Sequence, residues 1–400
     1  MKWFKADNND DLNYAVGISR GIMRLIGVWP LSNRTSLVYT CCKILQNFIC
    51  TFLFAFIFIP GIIHMCFREK NAKRRMKMLG PLCYAIMSLM KYCFFLARDK
   101  QIRECIWHMK IDWKEVGSPA DRRTMLSKAK LGRRIAIFFN VFMYTSGLFF
   151  RLIVPLSKGP VVTLQNVTIR PLSCPSYFII FNEQSTPAYE LVFTLQFFAG
   201  LAIYSVSSSL CGLVALLVMH ACGQLKLLIN RMEELVEVYD RRGDIVDKKM
   251  AAIVEHHIRV KGFLKRSEGV FQNMCLVEIF ECSLFICILT YDVLLEWENS
   301  NPMAMFTYCL LLVTFIYCIF ILCFIGEILS KQNDEVAAAS CSIDWYRLPT
   351  KNAKYLILII AISNTPMKIT AGKIVDMSLS SFGDILKTSV AYFNILRQTL

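Results

Sequence analysis

The chain has 400 residues, 55% of them hydrophobic and 19% charged, with a formal net charge of +15. A mean hydropathy of +0.45 excludes an ordinary water-soluble globule. The 45 Lys and Arg are spread along segments bounding apolar runs, without a recognisable nucleic-acid-binding module, so the charge reads as a topology signal and no nucleic-acid partner is expected.

Residues 1–36 are polar and lack the apolar core of a cleavable signal peptide, so the first span is expected to act as its own insertion signal. Apolar runs of roughly 20 residues, enough to cross about 30 Å of hydrocarbon, then recur. They predict spans at Leu37–Phe67, Met78–Ala97, Ile135–Pro155, Tyr189–Met219, Phe271–Leu295, Met305–Leu329 and Ile374–Leu396. An eighth run, Tyr355–Ile362, is too short to cross and ends before Pro366, which predicts a buried or interfacial half-helix. The expected fold class is an all-α integral membrane protein with seven transmembrane helices. Residues 1–400 form a single membrane domain, with a cytosolic N-terminal segment 1–36, an outer loop 156–187, cytosolic helical extensions 222–268, a cytosolic loop and half-helix 330–363, and a last helix within 374–400.

Orientation follows from the basic residues, which are retained on the cytosolic side. Segments 1–36, 98–134, 222–268 and 330–355 hold thirty Lys and Arg; segments 68–77, 156–187 and 296–304 hold eight. The N-terminus is therefore expected inside and the C-terminus outside, an inverted topology. The basic run Arg68–Lys77 is the exception, since it falls outside. The outer loop holds Pro160, Pro171, Pro175 and Pro187 and few charges, which suggests an ordered lid, and Asn166-Val167-Thr168 is a glycosylation sequon there. Asn33-Arg34-Thr35 is also a sequon, but on the cytosolic side.

In 222–268, Leu225, Leu228, Ile229, Met232, Leu235, Val236 and Tyr239 follow helical spacing, and Ile253, His257, Ile258 and Leu264 continue a face beyond Gly243. The stripe fits a solvated surface helix or a face that buries against other helices or another subunit. The 17 cysteines are scattered without Cys-x-x-Cys, which suits helix packing better than disulfides or zinc. No phosphate loop, nucleophile elbow or His-Glu-x-x-His helix occurs, so no enzyme, cofactor or metal is expected. Lys43, Lys91, Arg151, Glu278, Glu281, Asp292, Glu327 and Lys387 lie in or near spans, most of them where snorkelling to the interface would suffice. The last helix places Ser381, Thr388 and Ser389, with Asp384 and Lys387, at helical spacing. That pattern fits interhelical packing or a water-facing stripe with Ile395 as a hydrophobic constriction.

Phe324-Ile325-Gly326-Glu327-Ile328-Leu329 and Asp344-Trp345-Tyr346-Arg347-Leu348-Pro349 resemble the insect odorant receptor family. So does Thr370–Phe382, continuing through Leu386–Arg397; Leu25-Ile26-Gly27-Val28-Trp29-Pro30 looks most like hymenopteran members. The resemblance implies an inverted seven-helix protein of a tetrameric, odorant-gated cation channel. Its seventh helix is broken into a cytosolic half and a spanning half that lines the pore. By position it implies Ile395 at the hydrophobic gate, with Gln398, Asn394 and Thr399 beside it. It implies a cytosolic anchor made by helices four to seven, and an odorant pocket in the outer half of the bundle. Outer-half residues able to form that pocket are Tyr84, Met87, Tyr144, Gly147, Phe150, Phe193, Phe197, Tyr291 and Tyr308, though each taken singly fits ordinary packing better than a ligand contact.

The long cytosolic insertion of the shared co-receptor is absent, so the chain is similar to a ligand-tuning subunit. Its implied partners are that co-receptor in a heterotetramer, a small volatile organic ligand, permeant cations and membrane lipid, and its implied site is the dendritic plasma membrane of an olfactory sensory neuron. Cys341 stands where many relatives have Tyr, and Arg397 brings a charge near the pore mouth. A gustatory signature is only half kept, by Tyr392 and Gln398. The alternative is a G-protein-coupled seven-helix receptor, which would put the thirty basic residues on the wrong face and is expected to carry a cytosolic tail after its last helix. A transporter is expected to show internal repeats, which are not seen.

Overall fold

The computed structural model describes residues 8–30, 37–70, 72–158, 161–162, 168–179, 181–239, 246–342, 350–365 and 367–399, with fewer side chains at the segment ends. Its helices are α1 (Asn8–Leu25), α2 (Leu37–Ile63), α3 (Ala72–Ala97), α4 (Asp99–Glu115), α5 (Pro119–Leu148), α6 (Val154–Lys158), α7 (Ala188–Tyr239), α8 (Val246–Glu298), α9 (Pro302–Ser342), α10 (Thr350–Ser363) and α11 (Leu379–Thr399). Single π-helical turns extend α2 over His64–Arg68 and join α5 to α6 over Phe149–Ile153. Two short hairpins, β1 (Val161–Val162) with β2 (Thr168–Ile169) and β3 (Thr370–Ala371) with β4 (Val375–Asp376), complete the described elements.

Among the described residues, six helices are long and apolar enough to cross a membrane, and α11, of 21 residues, is more polar but reaches about 31 Å at 1.5 Å per residue. The helices α7 and α8, of 52 and 53 residues, reach about 80 Å, far more than the roughly 30 Å of hydrocarbon, so both project well beyond it. Helix α7 is the axis of the bundle, with 94% of its most apolar window buried. Small residues there (Ser205, Ser207, Ser208, Ser209, Gly212) let neighbours approach, and Ser19 of α1 donates to the Gly212 carbonyl at 3.0 Å.

The stripe on the projecting arms is buried within the chain itself. Leu225, Leu228, Ile229, Met232 and Leu235 on α7 and Ile253, His257 and Leu264 on α8 are buried where the two helices pack, whereas Ile258 faces out. Val236 and Tyr239 have side chains outside the described set. Two amphipathic helices were not expected: α1 lies within 1–36 and α4 within 98–134, both too polar to resemble spans. Helix α1 ends where Gly27 turns left-handed (φ 71°) and Val28 N–H reaches back to the Met23 carbonyl at 2.9 Å, the geometry for which glycine after a helix is suited. Gln46 on α2 caps the carbonyls of Arg24 and Leu25, and Tyr92 on α3 donates to that of Ile26 at 3.0 Å.

The chain between α10 and α11 corrects the last expected span. Residues 374–378 belong to the hairpin and its exit, and the helix begins at Leu379 because Ser378 caps it: the Ser381 N–H donates to Ser378 Oγ at 3.2 Å. Glu327 of α9 accepts the Leu379 N–H at 3.3 Å. A Cβ on Gly326 would lie 2.1 Å from the Met377 carbonyl oxygen, so only glycine lets α9 pass under this turn. Gly372, at φ 61°, docks the hairpin on α8 by donating to the Gln272 carbonyl at 2.9 Å. The strings 324–329 and 370–382 thus build one junction. The string 344–349 lies outside the described residues.

Candidate functional site: an aromatic cavity and the helix beside it

An internal cavity opens between α3, α5, the π-helical turn after it, α7, α8 and α9, with about 50 Å³ of free space. Its walls are aromatic. Tyr84 stands edge-on to Phe285 (5.5 Å) and Phe315 (5.7 Å), which stack at 4.7 Å, and lies 5.9 Å from Tyr204. Such edge-to-face clusters hold their geometry while leaving gaps between rings. Phe150 and Tyr308 close another side at 6.5 Å. Of the residues proposed from sequence, Tyr84, Phe150 and Tyr308 line the cavity. Gly147 lies directly behind it, since a Cβ there would come within 2.2 Å of the Tyr204 ring. Tyr144 bonds Ser205 at 2.7 Å, Phe193 stacks on Tyr189 and Phe197 meets Phe198 edge-on, all outside the described lining, as are Met87 and Tyr291.

The cavity also has polar groups that sequence spacing did not reveal. Arg151, expected to snorkel, is 3% exposed and lines the wall. Its bonds go to neutral groups: Nε donates to the Tyr204 hydroxyl at 3.4 Å and Nη1 to Ser173 Oγ at 3.3 Å. Gly200 makes room for it, since a Cβ there would approach Nε to 2.9 Å. Ser173 and Cys174 of the outer loop are pinned to α7 by Gln196, whose Oε1 accepts from both at 3.1 Å and whose Nε2 donates to the Cys174 carbonyl at 2.8 Å. Asp292 is buried on the same wall, and Lys77 at the rim pairs with Glu296 at 2.5 Å.

Below the cavity, Lys91 of α3 is wholly buried between Glu278 (2.5 Å) and Glu281 (2.9 Å) of α8, and donates to Ser207 of α7 at 2.7 Å. Snorkelling does not apply to these three: one buried cation stands between two buried carboxylates inside the bundle. Among the described residues the oxygens of Glu281 have only that ion pair, with no hydrogen bond. Glu278, Cys282 and Cys318 gather within 4.8 Å, a donor set that sequence spacing could not show. The Glu278 carboxylate is engaged by Lys91 and accepts from Cys318 Sγ at 3.2 Å.

Next to Cys282 on α8, Ser283 bonds Ser389 of α11 at 3.0 Å. Helix α8 therefore touches the cavity through Phe285, Ile288 and Leu289 and the last helix through Ser283. Among the described residues, helix α11 packs mainly on α8 and α9 and is tied down by its capping turn. Asn394, Ile395 and Gln398 are exposed; the side chain of Thr399 and all of Asn166 lie outside the described residues.

A family model for the 7tm Odorant receptor matches residues 71–390. Odorant receptor 13a of Drosophila melanogaster is 24% identical over 258 residues, covering 61% of each chain. Odorant receptor 10 of Aedes albopictus is 22% identical over 223 residues, or 56% of its length, so the chain spans little more than half the length of these relatives. Odorant receptor 82a of Drosophila melanogaster is 21% identical over 346 residues, 84% of this chain and 88% of that one. The structure of the olfactory receptor OR5 from Machilis hrabei in complex with eugenol matches with a TM-score of 0.82, over 98% of this chain and all of that one, at 16% identity, which shows the fold. The long apolar helices, the junction built by the quoted strings and the matched family model lead to one conclusion: this is a multi-pass membrane protein that belongs to the 7tm odorant receptor family.

Proposed function

We propose that the chain is the ligand-tuning subunit of an odorant- or pheromone-gated cation channel, assembled with a shared co-receptor in a heterotetramer of the dendritic plasma membrane. The observation that carries this reading is the position of α8, which forms one wall of the aromatic cavity and bonds the terminal helix through Ser283 and Ser389. The related receptor was captured with eugenol; here too a small volatile is the fitting ligand class, bound mainly by apolar burial with a few directional bonds. At about 50 Å³ the cavity is tighter than such a molecule. Binding therefore has to part the rings, and that differential between closed and widened states is what can bias a gate. The N-terminus lies inside, Asn166 outside, and α11 lines the pore with Ile395 at its constriction and Asn394, Gln398 and Thr399 beside it.

The test is permeation. With the co-receptor present, Gln398→Glu and Ile395→Ala should change relative ion permeability or basal current while leaving odorant sensitivity within about twofold. Unchanged permeation with both variants at the cell surface would place the pore elsewhere.

A further inference from the structure

A second recess, larger than the aromatic cavity, is absorbed by none of this. It lies between α1, the turn after it, the first turns of α2, and α4, and encloses about 830 Å³. Five cations line it: Arg20, Arg24, Lys43, Arg103 and Lys110. Among the described residues no acidic residue is part of the lining, and Asp99 behind it is shared by Lys43 at 2.6 Å and Arg103 at 2.7 Å. Arg20 bonds only the neutral Asn13 side chain at 3.1 Å, and Arg24 and Lys110 carry no carboxylate partner among the described residues. The recess therefore holds a surplus of positive charge facing an open space, an arrangement that repels itself unless an anion enters.

Its position in the fold says which anion. The recess sits at the start of the first span, where Tyr39, Cys42, Lys43 and Gln46 of α2 form its wall. The same turns of α2 expose Leu37 (84%), Val38 (68%) and Ile44 (63%), an uncovered apolar surface running from the recess into the span. Trp29, Tyr39 and Trp107 line it as well, the amphipathic rings that favour headgroup depth. Cations and aromatic rings at headgroup depth, continuous with a lipid-facing helix, match a phosphate-bearing headgroup above and acyl chains below.

We infer that this recess binds an anionic phospholipid, its headgroup phosphates held by Arg20, Arg24 and Lys110 and its chains laid along α2. On the inverted topology proposed above, the lipid comes from the cytosolic leaflet. Binding to purified protein is independent of that topology, because both ends are then accessible.

The experiment is native mass spectrometry of the full-length chain in detergent, with a phosphatidylinositol bisphosphate, phosphatidylcholine or soluble inositol trisphosphate added. The wild type should retain the bisphosphate lipid over phosphatidylcholine, and Arg20→Gln with Arg24→Gln and Lys110→Gln should weaken retention roughly fivefold per cation, about a hundredfold in all. A matched triple at the other end of α2, Arg68→Gln, Lys70→Gln and Arg75→Gln, should leave it unchanged. The single Lys110→Gln, at an exposed position, gives the same reading should the triple fold poorly. Equal loss from both triples, or retention independent of headgroup, would overturn the site. Inositol trisphosphate held as tightly as the lipid would overturn the lipid as its occupant. A wrong orientation would show separately, as an N-terminal epitope reached from outside intact cells.

Discussion

Helices α2 and α11 are the two least covered by the rest of the chain, and they are uncovered in different ways. The open face of α2 is mainly apolar and uncharged: Leu37, Val38, Ile44, Leu45, Phe48, Ile49, Phe52 and Ile59 are exposed, with Thr40 and Thr51 among them. That of α11 mixes Asp384, Lys387, Thr388, Asn394, Arg397 and Gln398 with Val390, Tyr392 and Ile395. A face turned to hydrocarbon has no partner for amides and charges, so the first pattern suits lipid and the second does not. The polar–apolar mixture of α11 suits water and other copies of the same helix, the surroundings it would have in a pore.

The largest effect is expected where neither environment exists, inside the bundle. Lys91→Met would leave Glu278 and Glu281 buried without their cation, at a cost of about 3–5 kcal/mol; thermal unfolding in detergent should show it, and adding Glu278→Gln and Glu281→Gln should restore much of the loss. The comparison itself is broken or sharpened by opposite substitutions on the two helices. Phe48→Asp should cost about 3 kcal/mol of membrane insertion, measured by a glycosylation-mapping insertion assay. Asn394→Leu should leave stability within about 0.5 kcal/mol but reduce odorant-evoked current. If both substitutions act only on stability, α11 faces lipid like α2.

Gly147→Ala pushes a methyl group against the Tyr204 ring and so into the cavity, and should raise the half-maximal odorant concentration about tenfold, read from concentration–response curves with maximal current retained. The smallest effect is in the projecting arms, outside the membrane. Burial and neighbouring cations lower the His256 pKa to about 3, and burial lowers that of His257 to about 4. Both stay neutral in the folded chain, while the unfolded chain takes up protons below pH 6.5. Stability is therefore intact above that pH and falls with acidification, by about 1 kcal/mol per histidine between pH 7 and 5.5. His257→Phe should flatten the thermal-unfolding profile over this window.

The spans were legible because burying roughly 20 apolar residues in lipid leaves a signal that side-chain detail cannot hide. Helices α1 and α4 were not, since each is amphipathic and polar on average. The first turn of α11 was misplaced because Ile374 and Val375 carry apolar character into a hairpin, and only the Ser378 cap marks the true start. The cavity was half legible: Tyr84, Phe150 and Tyr308 follow from aromatic content at one depth, but helix rotation decided that Met87, Phe193, Phe197 and Tyr291 stand away from its lining. The pairing of Lys91 with two glutamates nearly two hundred positions away leaves no local trace, and neither does the placement of Arg151 on the cavity wall.

The most direct test records whole-cell current from cells expressing this chain with and without an insect co-receptor, under a broad odorant panel and with no GTP in the pipette. A rapid cation current that requires the co-receptor and persists without GTP is the predicted result. An odorant response abolished by blocking G proteins would contradict the channel reading and the inverted orientation together.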